Sequence, residues 1–359
     1  MNPSSKIYIA GHNGLVGSAI KRKLQEKGYA DIIGKTHSEL NLLNYTSVLE
    51  FLKEEKPEYV FLAAAKVGGI MANNTYRAQF IYENLQIQNN VIHASYLTGV
   101  KKMLFLGSSC IYPREAPQPI KEDYLLTSPL EYTNEPYAIA KIAGIKLCES
   151  YNIQYGTNFI SAMPTNLYGT GDNYDLEKSH VLPALIRKMH LGKCLMNNDW
   201  DAIRADFDKR PVDGIKGNSE EGILDILNKY GIKQSASDEA TITLWGTGKP
   251  MREFMHSDDM ADACIFLMEN VDFDDLRSGH EIKNTHINIG TGKEMAISDL
   301  ACLVKQIVGY KGGIDWNSSK PDGTYRKLLD VSKLSSLGWK YSIELEIGLK
   351  SVYANYLNG

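Results

Sequence analysis

The sequence predicts an α/β protein built on a doubly wound parallel sheet, followed by a smaller C-terminal α/β domain. Three observations carry this. A strand, a glycine-rich turn and a helical pattern open the chain between Lys6 and Lys27. Short apolar, β-rich runs then alternate with longer helical patterns as far as Gly171, the rhythm of successive βαβ units. Beyond Gly171 the texture becomes polar, charged and glycine-rich, which marks a second domain.

Bulk composition narrows the functional classes. The 359 residues are 43% hydrophobic and 23% charged, with a net charge of −4. That is ordinary globular composition, with no global positive field to draw nucleic acid or an anionic membrane. No apolar run reaches the roughly 18 residues of a membrane helix. The N-terminus lacks the apolar core of a signal peptide. Five cysteines (Cys110, Cys148, Cys194, Cys264, Cys302) are scattered without metal-type spacing, so no metal is expected. Reduced thiols and a cytoplasmic location follow as expectations.

Lys6 to Ala10 is the first strand, and Gly11-His12-Asn13-Gly14-Leu15-Val16-Gly17 is the turn. A helix over Ser18 to Lys27 completes the context that a dinucleotide fingerprint requires. The glycines allow the tight turn and close pyrophosphate approach, and the helix N-terminus faces the phosphates. The second strand is Asp31 to Ile33. An acid at its end would bind a ribose 2′-hydroxyl, but the chain reads Gly34-Lys35-Thr36-His37. Lys35 and His37 suit a 2′-phosphate, which favours NADP(H) over NAD; a solvated loop is the alternative.

Glu58 to Ala65 is a continuous apolar run, the signature of a buried parallel strand. A helix over Ala78 to Thr98, a strand over Lys102 to Leu106 and a strand over Asn158 to Met163 follow. Together they give a Rossmann-type domain over residues 1–171, with returning segments near 241–260 and 284–300. The remainder, 172–359, is mainly a substrate domain. A helix runs from His180 to Met189, and Thr241 to Trp245 is a strand. Later come a strand (His286 to Ile289), a helix (Ile297 to Val308) and a turn over residues 320–323. Residues 194–238 read as a surface insertion with one helix, Glu220 to Tyr230.

The first part also carries residues that suggest chemistry. Tyr137 and Lys141 stand four apart on a helical pattern, hence on one face. The ammonium is expected to lower the phenol pKa. Ser108, at a strand end, is placed to hold a carbonyl that Tyr137 protonates. Such a set moves a hydride and a proton across a C–O bond.

These runs carry a resemblance to a known family. They are Gly11-His12 with Gly14 and Gly17, Ala63 to Ile70, Asn73 to Thr75, Gly107 to Pro113, and Asn134 to Gly144. Met163 to Gly169, Ser179-His180, Pro250 to Phe254 and Lys320 to Thr324 extend it. Over nearly its whole length the chain resembles the extended short-chain dehydrogenase/reductases. Within them it is similar to the 3,5-epimerase/4-reductases of GDP-4-keto-6-deoxymannose. The resemblance implies NADP(H), a GDP-4-keto-6-deoxy sugar substrate and a homodimer through paired helices. It makes Ser108, Tyr137 and Lys141 the reductase set, with Cys110 and His180 as epimerase base and acid. It places Leu106, Gly107, Ser109, Lys141, Pro164, Thr165, Asn166, Leu167 and His180 against the cofactor, and Lys188, Trp245, Arg252, Asp322 and Lys327 against the GDP-sugar.

The chemistry agrees. A C4 carbonyl acidifies the hydrogens at C3 and C5. A thiolate near the working pH removes one and an imidazole returns it. Read alone, Cys110 is equally a small buried hydrophobe, His180 a cap, Arg252 a surface ion pair and Trp245 a core residue. Asn13 and His37 stand where arginine is expected, Lys188 replaces another arginine, and the 194–238 segment is extra. These departures keep a second reading open: C4 reduction, with or without epimerisation, of another GDP-4-keto-6-deoxy sugar such as a heptose.

Overall fold

The computed structural model describes residues 1–234, 240–277, 282–320 and 322–358. Residues 235–238 of the extra segment and Pro321 of the predicted turn lie outside them. In chain order the first stretch holds β1 (Ile7–Ala10), α1 (Leu15–Glu26), β2 (Ile32–Ile33), α2 (Tyr45–Glu55), β3 (Tyr59–Leu62) and α3 (Ile70–Thr75). It continues with α4 (Arg77–Leu97), β4 (Lys102–Leu106), α5 (Glu135–Tyr155), β5 (Phe159–Pro164) and β6 (Asn166–Tyr168). Next come α6 (Val181–Met196), α7 (Trp200–Lys209), α8 (Glu220–Lys229), β7 (Ile232–Gln234) and β8 (Ala240–Trp245). The last stretch holds β9 (Met251–His256), α9 (Ser257–Asn270), β10 (Ile287–Ile289), β11 (Glu294–Ala296), α10 (Ile297–Val308), β12 (Gly313–Asn317), α11 (Ser332–Ser336) and α12 (Leu345–Asn358).

The chain divides into two units. The first is Met1–Gly171, Glu253–Lys293 and Lys327–Ile343; the second is Asp172–Arg252, Glu294–Arg326 and Glu344–Gly359. The returning segments are therefore 253–293 and 327–343, rather than 241–260 and 284–300. Residues 241–252 remain in the second unit because β8 is the centre of its small sheet.

The first unit is a six-stranded sheet in the order β10-β5-β4-β3-β1-β2, parallel throughout. Alternation within each strand feeds two cores. Ile7, Ile9, Phe61, Leu104 and Leu106 pack with α1 and α9. Tyr8, Ala10, Val60, Leu62, Met103 and Phe105 pack on the opposite face with residues of α2, α4 and α5. Both faces being covered explains why the strands read as continuous apolar runs rather than alternating ones. Strand order reverses at β1, and in such sheets ligands bind beyond the carboxyl ends of the strands near that reversal. Gly11, Lys35, Ala63, Gly107 and Thr165 all lie just past carboxyl ends.

The second unit holds the sheet β12-β8-β7, with β12 parallel and β7 antiparallel to β8. The extra segment is more ordered than a surface insertion. Helix α6 runs on to Met196, and α7, absent from the sequence reading, buries Ile203, Asp206 and Phe207. α8 falls where a helix was expected.

Candidate active site

β1 delivers the chain into the glycine turn at Gly11, whose φ is +87°. A Cβ there would meet the Ala64 backbone at 2.8 Å, and one at Gly17 would meet the Gly11 carbonyl oxygen at 2.1 Å. Only glycine permits this approach of α1 to the turn. α1 begins at Leu15 with no side-chain cap, so its first N–H groups face the turn free of protein acceptors at that position. His12, Asn13, Gly14 and Val16 belong to this same cradle.

Lys35 and His37 follow β2. Sequence reasoning missed Glu39 beside them. Its carboxylate accepts from the Thr36 amide and the Thr36 hydroxyl, each at 2.7 Å. These bonds hold the carboxyl below its usual range, with help from Lys35 and His12. The Thr36-x-x-Glu39 spacing is the signal that could have revealed it. The acid of this loop is thus turned onto its own backbone, while the basic residues stay beside it.

β4 ends at Leu106, and Gly107 donates its amide to Ala162 O on β5 at 2.9 Å. Ser108 is extended (φ −161°), and Ser109–Ile111 form one 3₁₀ turn whose Cys110 amide donates to Ser108 Oγ at 3.4 Å. α5 approaches this strand end closely because Ala138, Ala140 and Gly144 are small; a Cβ on Gly144 would meet the Phe105 ring at 2.3 Å. Gln88 Nε2 on α4 donates to Ala140 O at 2.6 Å and fixes the helix from behind.

Tyr137 in the first turn of α5 is half-buried, with its ring edge-on to Phe80 at 6.2 Å between centroids. Lys141 is buried; its Nζ donates to Leu106 O at 2.7 Å and lies 4.8 Å over the Phe105 ring. Burial pushes Lys141 down to about 8. The Tyr137 hydroxyl moves opposite to the sequence expectation. Burial raises its pKa, Cys110 adds to the rise, and the Ser108 hydroxyl pulls it back. The reason is that Lys141 directs its ammonium at the Leu106 carbonyl, so desolvation of the phenol wins.

Cys110 is buried at 6% exposure. Its thiol is likewise raised by burial rather than poised near neutrality, with Lys327, Ser108 and Lys141 favouring the thiolate. Ser108, Cys110, Tyr137, Lys141 and Lys327 therefore form one cluster in the first unit.

β5 leads through Pro164 to Thr165, whose amide donates to Ile289 O at 3.0 Å. Thr165 Oγ1 and Asn166 Nδ2 both donate to Glu253 O, at 3.2 and 2.9 Å. Leu167 follows in β6, which pairs with Phe254–His256. Glu253, another residue the sequence reading missed, is fully buried. Its carboxylate accepts from the amides of Thr291, Gly292 and Leu329. It thereby holds the segment carrying Lys327.

The second unit holds the other candidates. His180 is the N-cap of α6 but makes no side-chain cap bond, and it is exposed. Surrounding protein lowers its pKa by desolvation, an effect that solvent access to the ring limits. Lys188 on α6 is buried and pushed down to about 8 by desolvation alone. Arg252 donates to Met251 O at 2.7 Å; burial lowers it and Asp322 counteracts. Both Asp322 oxygens engage the turn after β8, accepting from Thr247 N and Thr247 Oγ1 at 2.7 Å each. Trp245 is 59% exposed with Lys320 Nζ 5.2 Å over its ring, so it is not a core residue. Among the described residues no cluster of metal-ligating side chains occurs.

A profile of the NAD dependent epimerase/dehydratase family matches residues 7–207 and 220–290. GDP-L-fucose synthase 1 of Arabidopsis thaliana is 52% identical, over 99% of this chain and 94% of its own length. GDP-L-fucose synthase of Escherichia coli K12 is 47% identical, over 98% of this chain and 96% of its own. A solved GDP-D-glycero-L-gluco-heptose synthase of Campylobacter jejuni, determined in the presence of NADPH, superposes with a TM-score of 0.91. It is 49% identical over 99% of each chain.

Proposed function

The chain belongs to the NAD dependent epimerase/dehydratase family, and from that premise we propose that it is an NADPH-dependent GDP-4-keto-6-deoxy-D-mannose 3,5-epimerase/4-reductase that makes GDP-L-fucose. The observation that carries the reading is the cluster of Ser108, Cys110, Tyr137, Lys141 and Lys327 at the end of β4 and the first turns of α5. Its setting is a chain about half identical to GDP-L-fucose synthases along nearly its whole length.

The residues present fit NADP(H). The glycine turn leaves no room for a Cβ at Gly11 or Gly17, and the Glu39 carboxylate is engaged by the amide and hydroxyl of Thr36, with Lys35 and His12 near enough to favour its charge. Gly11–Gly17 would hold the pyrophosphate, Lys35 and His37 the adenosine phosphate, and Pro164–Leu167 would line the remainder. NADPH supplies the hydride for C4 when bound.

The chain's own groups do the rest. Cys110 removes a proton beside the C4 carbonyl, its thiolate favoured by Lys327, Ser108 and Lys141 against the cost of burial. His180 returns the proton. Ser108 and Tyr137 hold the C4 oxygen while negative charge develops on it. Tyr137 keeps its own proton at neutral pH because its pKa is raised, so it is a donor, and it gives that proton to the C4 oxygen. Lys188 and Arg252 hold the diphosphate, Trp245 stacks on the nucleotide, and Asp322 fixes the turn beside them.

Incubation with GDP-4-keto-6-deoxymannose and NADPH, with the product identified by NMR, tests the reading. GDP-L-fucose is the expected product; a retained C3/C5 configuration would sink it. That outcome favours the second reading, C4 reduction of a GDP-heptose, which the Campylobacter jejuni heptose synthase at TM-score 0.91 supports. The setting is nucleotide-sugar supply for surface glycans in the cytoplasm. Among the described residues no helix is long and apolar enough to cross a membrane. A homodimer through α4 and α5 would cover Tyr82, Leu97, Ile139, Ile153 and Tyr155, all at least 42% exposed. Light scattering distinguishes it from a monomer.

A further inference from the structure

Arg187 and Lys188 are adjacent cations on α6 with opposite fates. Arg187 is fully buried. Its Nε donates to Asp206 Oδ1 at 2.9 Å, Nη1 to Tyr174 O at 3.1 Å and Nη2 to Arg210 O at 2.5 Å. The other Asp206 oxygen accepts from Arg210 Nη1 at 3.1 Å and from the Tyr356 hydroxyl. Arg210 Nη2 in turn donates to Tyr356 O at 3.0 Å, and its guanidinium lies 4.1 Å over the Tyr356 ring. Two cations, one carboxylate and one phenol are thus locked between α6, α7 and α12. Lys188, one residue on, has no counterpart. Desolvation lowers its pKa, and among the described residues its ammonium forms no ion pair with a carboxylate.

A buried arginine whose partner is removed becomes an uncompensated charge, and the helix can relieve it only by turning or shifting. Consecutive helical residues lie on faces about 100° apart, so any such turn moves Lys188 by the same angle. Asp206 belongs to the extra segment that the sequence presents as an insertion.

We infer that Asp206 is a positioning residue for GDP-sugar binding. By committing Arg187 to the interior it fixes the turn of α6, so that Lys188 is the cation offered to the diphosphate. The inference rests on the assignment of Lys188 to that diphosphate. It also gives α7 a task, since the segment sets the geometry of a binding residue.

The test measures GDP binding by calorimetry, with NADP⁺ binding as the control for an intact first unit. The variants are Asp206→Asn, the milder Tyr356→Phe, Lys188→Met, and each clamp variant combined with Lys188→Met. Loss of a charge-assisted contact in Lys188→Met should weaken GDP about tenfold. Asp206→Asn and Tyr356→Phe should each weaken GDP at least about threefold with NADP⁺ affinity unchanged, and should have no further effect once Lys188 is methionine. Additive losses in the double variants, or wild-type GDP affinity in folded Asp206→Asn and Tyr356→Phe, overturn the inference while leaving Lys188 in place. Wild-type GDP affinity in Lys188→Met instead overturns the diphosphate assignment, and the inference with it.

Discussion

Lys141 Nζ and the Leu106 carbonyl are joined by a 2.7 Å hydrogen bond, which ties the helix carrying Tyr137 to the strand end that leads into Ser108. Burial brings this lysine down to about 8, so its charge changes within an accessible pH range. Below that value it is an ammonium that donates to Leu106 and, in the proposed reaction, supports proton delivery through Tyr137. Above it, an amine remains. The reductive rate should therefore fall as pH rises through about 8, measured as NADPH consumption at saturating substrate. Unfolding through this residue cannot mimic the loss. Between about 8 and the ordinary lysine value of 10.5 the unfolded chain binds more protons than the folded one, so this residue's contribution to stability increases with pH there. Lys141→Met should remove the alkaline limb and lower the rate throughout.

Tyr137 and Cys110 share the Ser108 hydroxyl but serve different half-reactions in the proposed function. Tyr137→Phe should lower the reductive rate by about 10²–10⁴-fold, the usual worth of a positioned acid, yet leave deuterium exchange at C3 and C5 in place. Cys110→Ser should give the reverse pattern, because a serine hydroxyl ionises far less readily than a thiol and so supplies almost no base, whereas Lys327 and Lys141 favour the Cys110 thiolate. Mass spectrometry of the sugar nucleotide after incubation in D₂O without NADPH reads the exchange. Loss of both activities in either variant would remove the division of labour.

The sheet was legible in the sequence because its strands are buried on both faces and therefore stand out as unbroken apolar runs. The glycine turn was legible because close backbone approach excludes every other residue at Gly11 and Gly17. That Ser108, Tyr137 and Lys141 come together was legible from helical spacing and a strand end. What escaped has a physical reason in each case. The directions of the Tyr137 and Cys110 pKa shifts depend on burial, which spacing does not report. Helix α7 (Trp200–Lys209) carries Asp201, Arg204, Asp206, Asp208 and Lys209, so its charge content read as surface. Asp206 is in fact buried against Arg187 on α6. Glu253 stood out only as part of the Pro250 to Phe254 run, because its partners are amides 38, 39 and 76 residues away in the chain.

Lys188 provides a chain-specific pH dependence. Desolvation brings it down to about 8, whereas an arginine keeps its charge at any working pH. GDP affinity should weaken as pH rises past about 8 in the wild-type protein, because the charge proposed to meet the diphosphate is lost. Lys188→Arg should flatten that dependence and restore bidentate phosphate contact. Calorimetric titration with GDP at several pH values decides the matter, and an unchanged alkaline slope in Lys188→Arg would assign the titration to another group.

Gly17→Ala offers the sharpest separation of cofactor binding from sugar-nucleotide binding. The added Cβ would lie 2.1 Å from the Gly11 carbonyl oxygen and 3.0 Å from the His12 Cα. Both neighbours are backbone, so no side-chain rotation relieves the contact, and α1 must move away from the glycine turn. Overpacking of this kind costs roughly 1–3 kcal/mol. A displaced helix N-terminus also carries its amides away from the position proposed for the pyrophosphate. NADP⁺ affinity should therefore fall by about tenfold or more, a loss equivalent to roughly 1.4 kcal/mol or beyond. GDP affinity should stay at the wild-type value, since Lys188, Arg252 and Trp245 belong to the other unit. Fluorescence titration with NADP⁺ alongside calorimetry with GDP reads both. Equal loss of the two ligands would mean that the substitution unfolds the chain, and unchanged NADP⁺ affinity would mean that the turn does not bind the cofactor.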